Sequence, residues 1–136
     1  MMAVIALLLA ATNPDVPVPS PRAVVSAMFE TFNRHDAVGL AKLYAADARL
    51  TSPDFCSPRG QRDVERTYAA LFAAYPDIRD EVQEMVVEGD IVAVRFVATS
   101  KAGKLNLPIQ TMLRVREGRI VSDDSLFDAG GAQCQP

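Results

Sequence analysis

The sequence lacks the features that mark a nucleic-acid-binding, zinc-binding or membrane-spanning chain. Its 136 residues include one histidine, two cysteines and no run of lysine or arginine, and its formal net charge is −3. An acidic chain without a basic patch does not favour a nucleic-acid partner. A lone His35 and two isolated cysteines cannot supply a zinc ligand set by themselves, so we predict no metal and no cofactor. The apolar run at residues 3–11 is shorter than the ~20 residues that span a bilayer.

The N-terminal segment is predicted to direct export. An apolar run of this length that ends in the small residues Ala10 and Ala11 is typical of a signal peptide, here residues 1–12. The basic residues that usually precede such a run are missing, because the first one is Arg22. We therefore predict a secreted or periplasmic protein, and the alternative is an apolar tail on a cytoplasmic one. Four prolines make residues 13–21 an extended lead-in.

The two cysteines, Cys56 and Cys134, lie in a predicted loop and in the irregular tail at residues 129–136. In an exported protein a disulfide could join them and tie the tail to that loop. The alternative is two unpaired thiols.

The first half of the chain predicts three helices. Ser20 and Pro21 suit the start of a helix whose apolar residues recur at helical spacing. Asp36 can cap a second helix that extends to Tyr44. A short strand follows near residue 50, and a third helix covers Arg62 to Tyr75.

The second half of the chain predicts strands joined by tight turns. The turns Glu88-Gly89-Asp90, Lys101-Ala102-Gly103-Lys104 and Arg116-Glu117-Gly118 separate segments that alternate apolar and polar residues. The predicted strands are residues 78–87, 91–99, 105–115 and 119–127. Successive hairpins give an antiparallel sheet, and helices grouped ahead of it indicate an α+β protein.

Four segments resemble the SnoaL-like, nuclear-transport-factor-2-like superfamily. They are FNRHDAVGLAKLYAADARLTSP, RGQRDVERTYAALFAAYPDI, VVEGDIVAVRFVATS and LRVREGRIVSDDSLFD. The resemblance covers residues 22–128 as one domain. It implies three helices packed on a strongly curved, mainly antiparallel sheet that forms a cone with a pocket, a cystatin-like α+β barrel. Members include polyketide cyclases, ketosteroid isomerases, dehydratases and non-enzymatic binding or dimerisation modules, so the resemblance predicts fold better than chemistry.

The isomerase chemistry of the superfamily does not carry over to this chain. That enzyme type uses a tyrosine and a protonated aspartate as an oxyanion hole and a second aspartate as base. The corresponding positions here hold Met28, Gln110 and Ser52. Gln110 can still donate its amide to a ligand carbonyl.

The last strand carries the best candidate for acid–base chemistry. Asp123 and Asp124 are adjacent and must point to opposite faces of the sheet. Alignment on Phe127 turns Asp123 and Ser125 into the pocket, where burial would raise the pKa of the carboxyl. The alternatives are that both acids are solvated or that a one-residue shift exchanges them. Asp54, near the pocket mouth, is either an assisting base or a turn residue.

The predicted pocket combines these groups with apolar side chains. Its residues are Phe29, Phe32, Tyr44, Ser52, Tyr68, Phe72, Val94, Phe96, Gln110, Met112, Asp123, Ser125 and Phe127. With Gln110 and Met112 turned inward, the opposite face would carry Ile109, Thr111 and Leu113 at the centre of a homodimer. The alternative is a monomer in which Leu107, Ile109, Leu113 and Val115 face the cone.

Two functions remain open. The first is an exported pocket domain that binds a small hydrophobic ligand or a partner without catalysis. The second is a cofactor-independent isomerase, cyclase or dehydratase that acts on a small carbonyl compound by proton transfer. In the second, Asp123 is the acid–base group and Gln110 polarises the carbonyl.

Overall fold

The computed structural model describes residues 16–136. The predicted signal segment and the first part of the proline-rich lead-in lie outside these residues. None of the helices in the described range is long and apolar enough to cross a membrane.

Three helices and five strands make up the fold of residues 16–136. In chain order they are α1 (Pro21–Asn33), α2 (Ala37–Leu43), β1 (Tyr44–Thr51), α3 (Gln61–Ala74), β2 (Arg79–Glu88), β3 (Ile91–Ser100), β4 (Leu105–Arg116) and β5 (Arg119–Leu126). The α+β class is therefore confirmed, with one strand placed between the second and third helices.

Each helix begins where a side chain or backbone group satisfies its first free amides. The Ser20 hydroxyl accepts a hydrogen bond from the backbone N–H of Ala23 at 3.2 Å. The Asp36 carboxylate accepts one from the N–H of Gly39 at 2.8 Å. These contacts stabilise the helix starts at the residues that the sequence predicts.

The sheet has the strand order β1-β5-β4-β3-β2. β1 runs parallel to β5, and the other neighbouring strands are antiparallel. β1 and β2 are free edges, so the sheet is not closed and the predicted barrel is wrong in that respect. This topology brings β1 and β5, far apart in sequence, side by side.

Register shifts interrupt three of the strand pairs. They lie between Val82 and Glu84 in β2, between Arg114 and Val115 in β4, and between Tyr44 and Arg49 in β1. Such irregularities bend a strand and change which residues face the core.

The hydrophobic core lies between α1 and the inner face of the sheet. The ring of Phe29 meets the ring of Phe96 edge-on, with centroids 4.9 Å apart. Val92, Val94 and Leu113 are buried beneath the helix.

The predicted register of β4 is wrong by one residue. Thr111 and Leu113 are buried, whereas Gln110 is exposed and Met112 is 54% exposed on the outer face. Alternation of apolar residues along the strand predicts this arrangement. Thr111 occupies the inner position that the resemblance assigns to Gln110. The alternative with Leu113 and Val115 facing the helices is correct for this strand.

The surface named for a homodimer is therefore also wrong, because Ile109, Thr111 and Leu113 lie on the inner face.

A homodimer through the sheet remains a prediction. The large apolar side chains exposed on the outer face are Val86, Met112 and Leu126. We expect Met112→Glu to shift the sedimentation coefficient from dimer to monomer, with Lys101→Glu in an exposed turn as control. A monomeric wild type would contradict the prediction.

Candidate active site in the pocket beside α3

A pocket of about 720 Å³ opens between α3, the inner face of the sheet and the loop at residues 52–60. Ligand pockets of small-molecule-binding proteins commonly measure roughly 300–1,000 Å³. Tyr68 and Leu71 line it from α3, Phe96 and Ile109 from the sheet, and Asp123 from β5. The wall is mostly apolar and carries a few polar groups.

Asp123 is the central polar group of this wall. It is only 6% exposed. The Tyr44 hydroxyl donates to its Oδ2 at 2.7 Å, and the Thr111 hydroxyl donates to its Oδ1 at 2.7 Å. The Ser125 hydroxyl donates to Thr111 at 3.2 Å and lies 3.5 Å from Asp123. Each carboxyl oxygen therefore has a fixed donor.

Burial raises the pKa of Asp123, and the hydrogen bonds from Thr111 and Tyr44 act against that rise. Burial also raises the pKa of the Tyr44 phenol, and the charge of Asp123 raises it further. Within residues 16–136 no lysine or arginine forms an ion pair with Asp123. The Asp123 carboxyl group therefore keeps its proton to a higher pH than an ordinary aspartate does.

Tyr44 reaches Asp123 because it is the first residue of β1. There it pairs with Ile120 of the parallel strand β5. The helical spacing of Leu40, Leu43 and Tyr44 predicts that Tyr44 belongs to the second helix, and this prediction is wrong. Helix α2 ends at Leu43, so the tyrosine lies on a strand beside the aspartate.

Most of the predicted pocket residues lie on the pocket or directly behind it. Those that line it are Phe32, Ser52, Tyr68, Phe96, Asp123, Ser125 and Phe127. Phe29 lines a small inner cavity next to it, and Val94 belongs to the core. Phe72 packs against Phe32 with ring centroids 5.1 Å apart. Gln110 and Met112 are on the opposite face, so Gln110 cannot polarise a ligand in this pocket.

Asp54 lies at the mouth of the pocket, where local contacts hold it. Its carboxylate accepts a hydrogen bond from the Ser52 hydroxyl. Its carbonyl oxygen accepts one from the N–H of Gln135 at 2.6 Å. This is the arrangement of the turn residue that the sequence left as an alternative.

A disulfide joins Cys56 to Cys134. It fixes the C-terminal strap, residues 129–136, against the loop at the pocket mouth. The N–H of Cys56 donates to the Gln135 carbonyl at 2.9 Å, and Arg59 donates to the Pro136 carbonyl at 3.3 Å. Gln135 and Pro136 consequently line the pocket entrance.

Arg59 is a polar feature of the entrance that the sequence did not single out. Its guanidinium lies 3.9 Å from the centroid of the Phe55 ring and donates to the Thr67 hydroxyl at 2.9 Å. The cation is held by an aromatic face, a helix side chain and the Pro136 carbonyl, and no aspartate or glutamate of residues 16–136 pairs with it.

Asp80 is a second carboxyl group that the sequence analysis missed. It lies on β2, opposite Ala98 of β3, and lines the pocket. Burial raises the pKa of Asp80 to about 7. Among the described residues, no group of three or more histidine, cysteine, aspartate or glutamate side chains could hold a metal ion.

The Tyr44→Phe variant should lose about 1–3 kcal/mol of stability, because a buried carboxyl loses one of its two close donors. Tyr75→Phe is the matched control, since Tyr75 lies at the end of α3 and the hydroxyl that bonds to the Asp123 carboxyl is that of Tyr44. Urea unfolding at pH 7 measures both variants. Equal effects of the two substitutions would show that the Tyr44 hydroxyl contributes nothing to the carboxyl site.

Comparisons with known proteins define the class of this α+β pocket protein. Residues 25–123 match the family model described as a SnoaL-like domain. The chain therefore belongs to the SnoaL-like domain family, as the sequence resemblance indicates. A search of curated proteins found no match.

Solved structures of other proteins share the fold. A loop-truncation variant of IdmH is 30% identical, with a TM-score of 0.71 over 80% of this chain and 93% of that one. Wild-type IdmH from Streptomyces antibioticus, a proposed polyketide cyclase, is 28% identical, with a TM-score of 0.70 over 81% and 93%. AclR from Streptomyces galilaeus, a proposed hydroxylase, is 23% identical, with a TM-score of 0.67 over 79% and 88%, which shows the fold alone.

Proposed function

We propose that this chain binds a small, mostly apolar carbonyl compound and moves a proton at the carbon next to the carbonyl group, without a cofactor. The observation that carries the proposal is the Asp123 carboxyl, buried in the wall of a ligand-sized pocket with one hydroxyl donor on each oxygen. A carboxyl with a raised pKa is a proton acceptor of useful strength near neutral pH. The apolar wall suits the body of the ligand.

The fixed donors determine what Asp123 can do. Tyr44 and Thr111 hold the carboxyl group in one orientation, so a substrate carbon placed against it meets a preorganised base. Buried carboxyl groups in structural roles are usually paired with a cation or fully hydrogen-bonded. The hydroxyl donors stabilise the charge here only in part, since the pKa remains raised.

A proposed polyketide cyclase among the similar structures supports this reaction class, because cyclisation of a polyketide begins with removal of a proton beside a carbonyl. The similarity to IdmH is moderate, and it carries over the pocket architecture and not a substrate.

Deuterium exchange tests the proposal directly. The purified protein is incubated in D₂O with small apolar ketones, 1,3-diketones and β-keto esters, and deuteration beside the carbonyl is followed by NMR. Wild type should accelerate the exchange, and Asp123→Asn should lower that rate at least about 100-fold, as loss of a general base typically does. Glu81→Gln is the control, because Glu81 is an exposed carboxylate on β2.

Non-catalytic ligand binding is the second candidate, and the position of Gln110 favours it. The exposed amide leaves the pocket without the carbonyl polariser that the sequence analysis expected. Native mass spectrometry of the same mixtures separates the two functions. Retention of a compound without deuterium exchange supports binding alone, and neither retention nor exchange would contradict the proposed pocket function.

A further inference from the structure

Asp80 combines a fixed backbone with a free carboxyl group. Its N–H donates to the Asn33 side-chain oxygen at 2.8 Å, and its carbonyl accepts from the Asn33 amide at 3.0 Å. Asn33 of α1 therefore clamps β2 at this residue from both sides. Within residues 16–136, no hydrogen bond or ion pair reaches the Asp80 carboxyl oxygens.

Asp80 and Asp123 face the same space from opposite parts of the sheet. Both line the large pocket and the inner cavity of about 40 Å³ that adjoins it. Tyr68 of α3 lines both spaces as well. Burial raises the pKa of Tyr68, and the charges of Asp123 and then Asp80 raise it further. The Tyr68 hydroxyl therefore interacts electrostatically with both carboxyl groups.

The surroundings of the two carboxyl groups differ in the way that an acid–base pair requires. Asp123 accepts hydrogen bonds from Tyr44 and Thr111, which favour its charged form. Asp80 accepts none, and burial alone raises its pKa to about 7. The two donors favour the charged form of Asp123, whereas among residues 16–136 no donor favours the charged form of Asp80. Pairs of titratable groups in contrasting environments commonly divide the acid and base roles.

We propose that Asp80 is a second catalytic residue of this pocket, the general acid that protonates the substrate carbonyl oxygen while Asp123 removes the proton from the adjacent carbon. The C–H bond breaks and an O–H bond forms, so the substrate becomes its enol with no net change in protons. Asp80 ends the step as a carboxylate and Asp123 as a carboxylic acid. Both recover by proton exchange with water through the open mouth.

This inference rests on the proposed function and supplies the carbonyl-polarising group that the pocket otherwise lacks. With Gln110 on the outer face, the carbonyl polariser predicted from the sequence is absent from the pocket. A protonated Asp80 supplies the hydrogen-bond donor that stabilises the developing enolate oxygen. The titratable groups that line the inner cavity with Asp80 are Tyr68 and Asp123 in the described part of the chain, and the neutral Asn33 of α1 bonds to its backbone. Asp54, Arg59 and Arg66 line the larger pocket and are not among the residues that line the inner cavity.

The test compares the pH dependence of the deuterium exchange in wild type, Asp80→Asn and Asp80→Glu. Wild type should lose kcat/KM as the pH rises above about 7, where Asp80 gives up its proton. Asp80→Asn should lower kcat at least about 10-fold with little change in KM, and the decline above neutral pH should disappear. Asp80→Glu should recover part of the rate and restore the decline. The control is Glu81→Gln, the next residue on β2, which is exposed.

The outcomes separate the two proposals. An inactive wild type overturns the proposed function, and this role of Asp80 with it. An active wild type that depends on Asp123, combined with an Asp80→Asn variant of unchanged kcat and unchanged pH profile, overturns the Asp80 role alone. NMR titration of ¹³C-labelled aspartate carboxyl groups gives an independent readout, because a resonance that is lost in Asp80→Asn and titrates near pH 4 would also overturn it.

Discussion

A Cys134→Ser variant should unfold with a free energy about 4 kcal/mol below that of the oxidised wild type. The disulfide between Cys56 and Cys134 closes a loop with a sequence separation of 78 residues. In the chain-entropy description, a cross-link of this span restricts the unfolded chain by about 4 kcal/mol. Few other contacts hold the strap, since its residues 130–136 are exposed.

Urea unfolding with and without reductant measures this effect. Reduction should bring the wild type to the stability of Cys134→Ser and leave the variant itself unchanged, which controls for any effect of the serine. Hydrogen exchange gives a local readout, because the Gln135 N–H that bonds to the Asp54 carbonyl should lose its protection when the disulfide is absent. A variant within about 1 kcal/mol of the oxidised wild type would show that the unfolded chain is already compact near these residues.

The disulfide also bears on where the protein works. Both cysteines are exposed, and an exposed disulfide persists in oxidising compartments and is reduced in the cytoplasm. The disulfide is therefore compatible with an exported protein, and export itself stays a prediction. In a reducing compartment the strap would be held by hydrogen bonds alone.

The helices and strands could be predicted from the sequence because local signals mark their ends. Ser20 and Asp36 cap helices, and the hairpin turns contain glycines with positive φ, Gly89 at +58° and Gly118 at +75°. A left-handed backbone at these positions suits glycine, so the turns fix the strand boundaries to within about one or two residues. The inward position of Asp123 follows from strict alternation with Ser125 and Phe127.

The register of β4 could not be settled by resemblance, because both faces of this strand carry apolar residues. Leu113 and Val115 alternate on one face, and Pro108 and Met112 on the other. Because both faces carry apolar residues, the alternation of side chains is compatible with two registers of the strand. The buried Thr111 decides between them in the structure, since its hydroxyl has a partner in Asp123. That partnership depends on the pairing of β4 with β5 and is invisible in the sequence of either strand.

Asp80 escaped prediction for a different reason. β2 reads as a charged edge strand, and Asp80 stands between Arg79 and Glu81. The bulge between Val82 and Glu84 then shifts the alternation, so that no single period-two pattern covers the strand. In the sequence of such a segment, an aspartate that faces the core cannot be distinguished from one that faces solvent.

The Asp80→Asn variant should be more stable than the wild type at pH 8 and nearly equal to it at pH 4. In the folded protein the pKa of Asp80 is about 7, whereas in the unfolded chain an aspartate titrates near ~3.9. Between these values the folded state binds more protons than the unfolded state, so the stability of the wild type falls as the pH rises. Above about pH 7 both states are ionised and the loss is complete. Asparagine carries no charge at any pH and avoids the loss.

The size of the difference follows from the same linkage. A fully buried carboxyl would lose about 4 kcal/mol over this range. Asp80 is half-buried and opens onto the solvated pocket, so screening reduces the expected gain of Asp80→Asn at pH 8 to about 2 kcal/mol. Urea unfolding of both proteins at pH 4, 6 and 8 gives the comparison, and Asp123 contributes equally to each. Glu81→Gln, on the exposed side of β2, should show no such trend.

A stability difference that stays constant with pH would mean that Asp80 is solvated in the folded protein and titrates normally. The predicted trend would instead identify a carboxyl group that destabilises the ligand-free fold at neutral pH, with no contact among the described residues to compensate. A ligand oxygen that accepts the Asp80 proton would relieve this penalty, because the hydrogen bond favours the protonated form.

Ligand binding should then be tighter at pH 6 than at pH 8 in the wild type. In Asp80→Asn, native mass spectrometry should find equal retention at the two pH values.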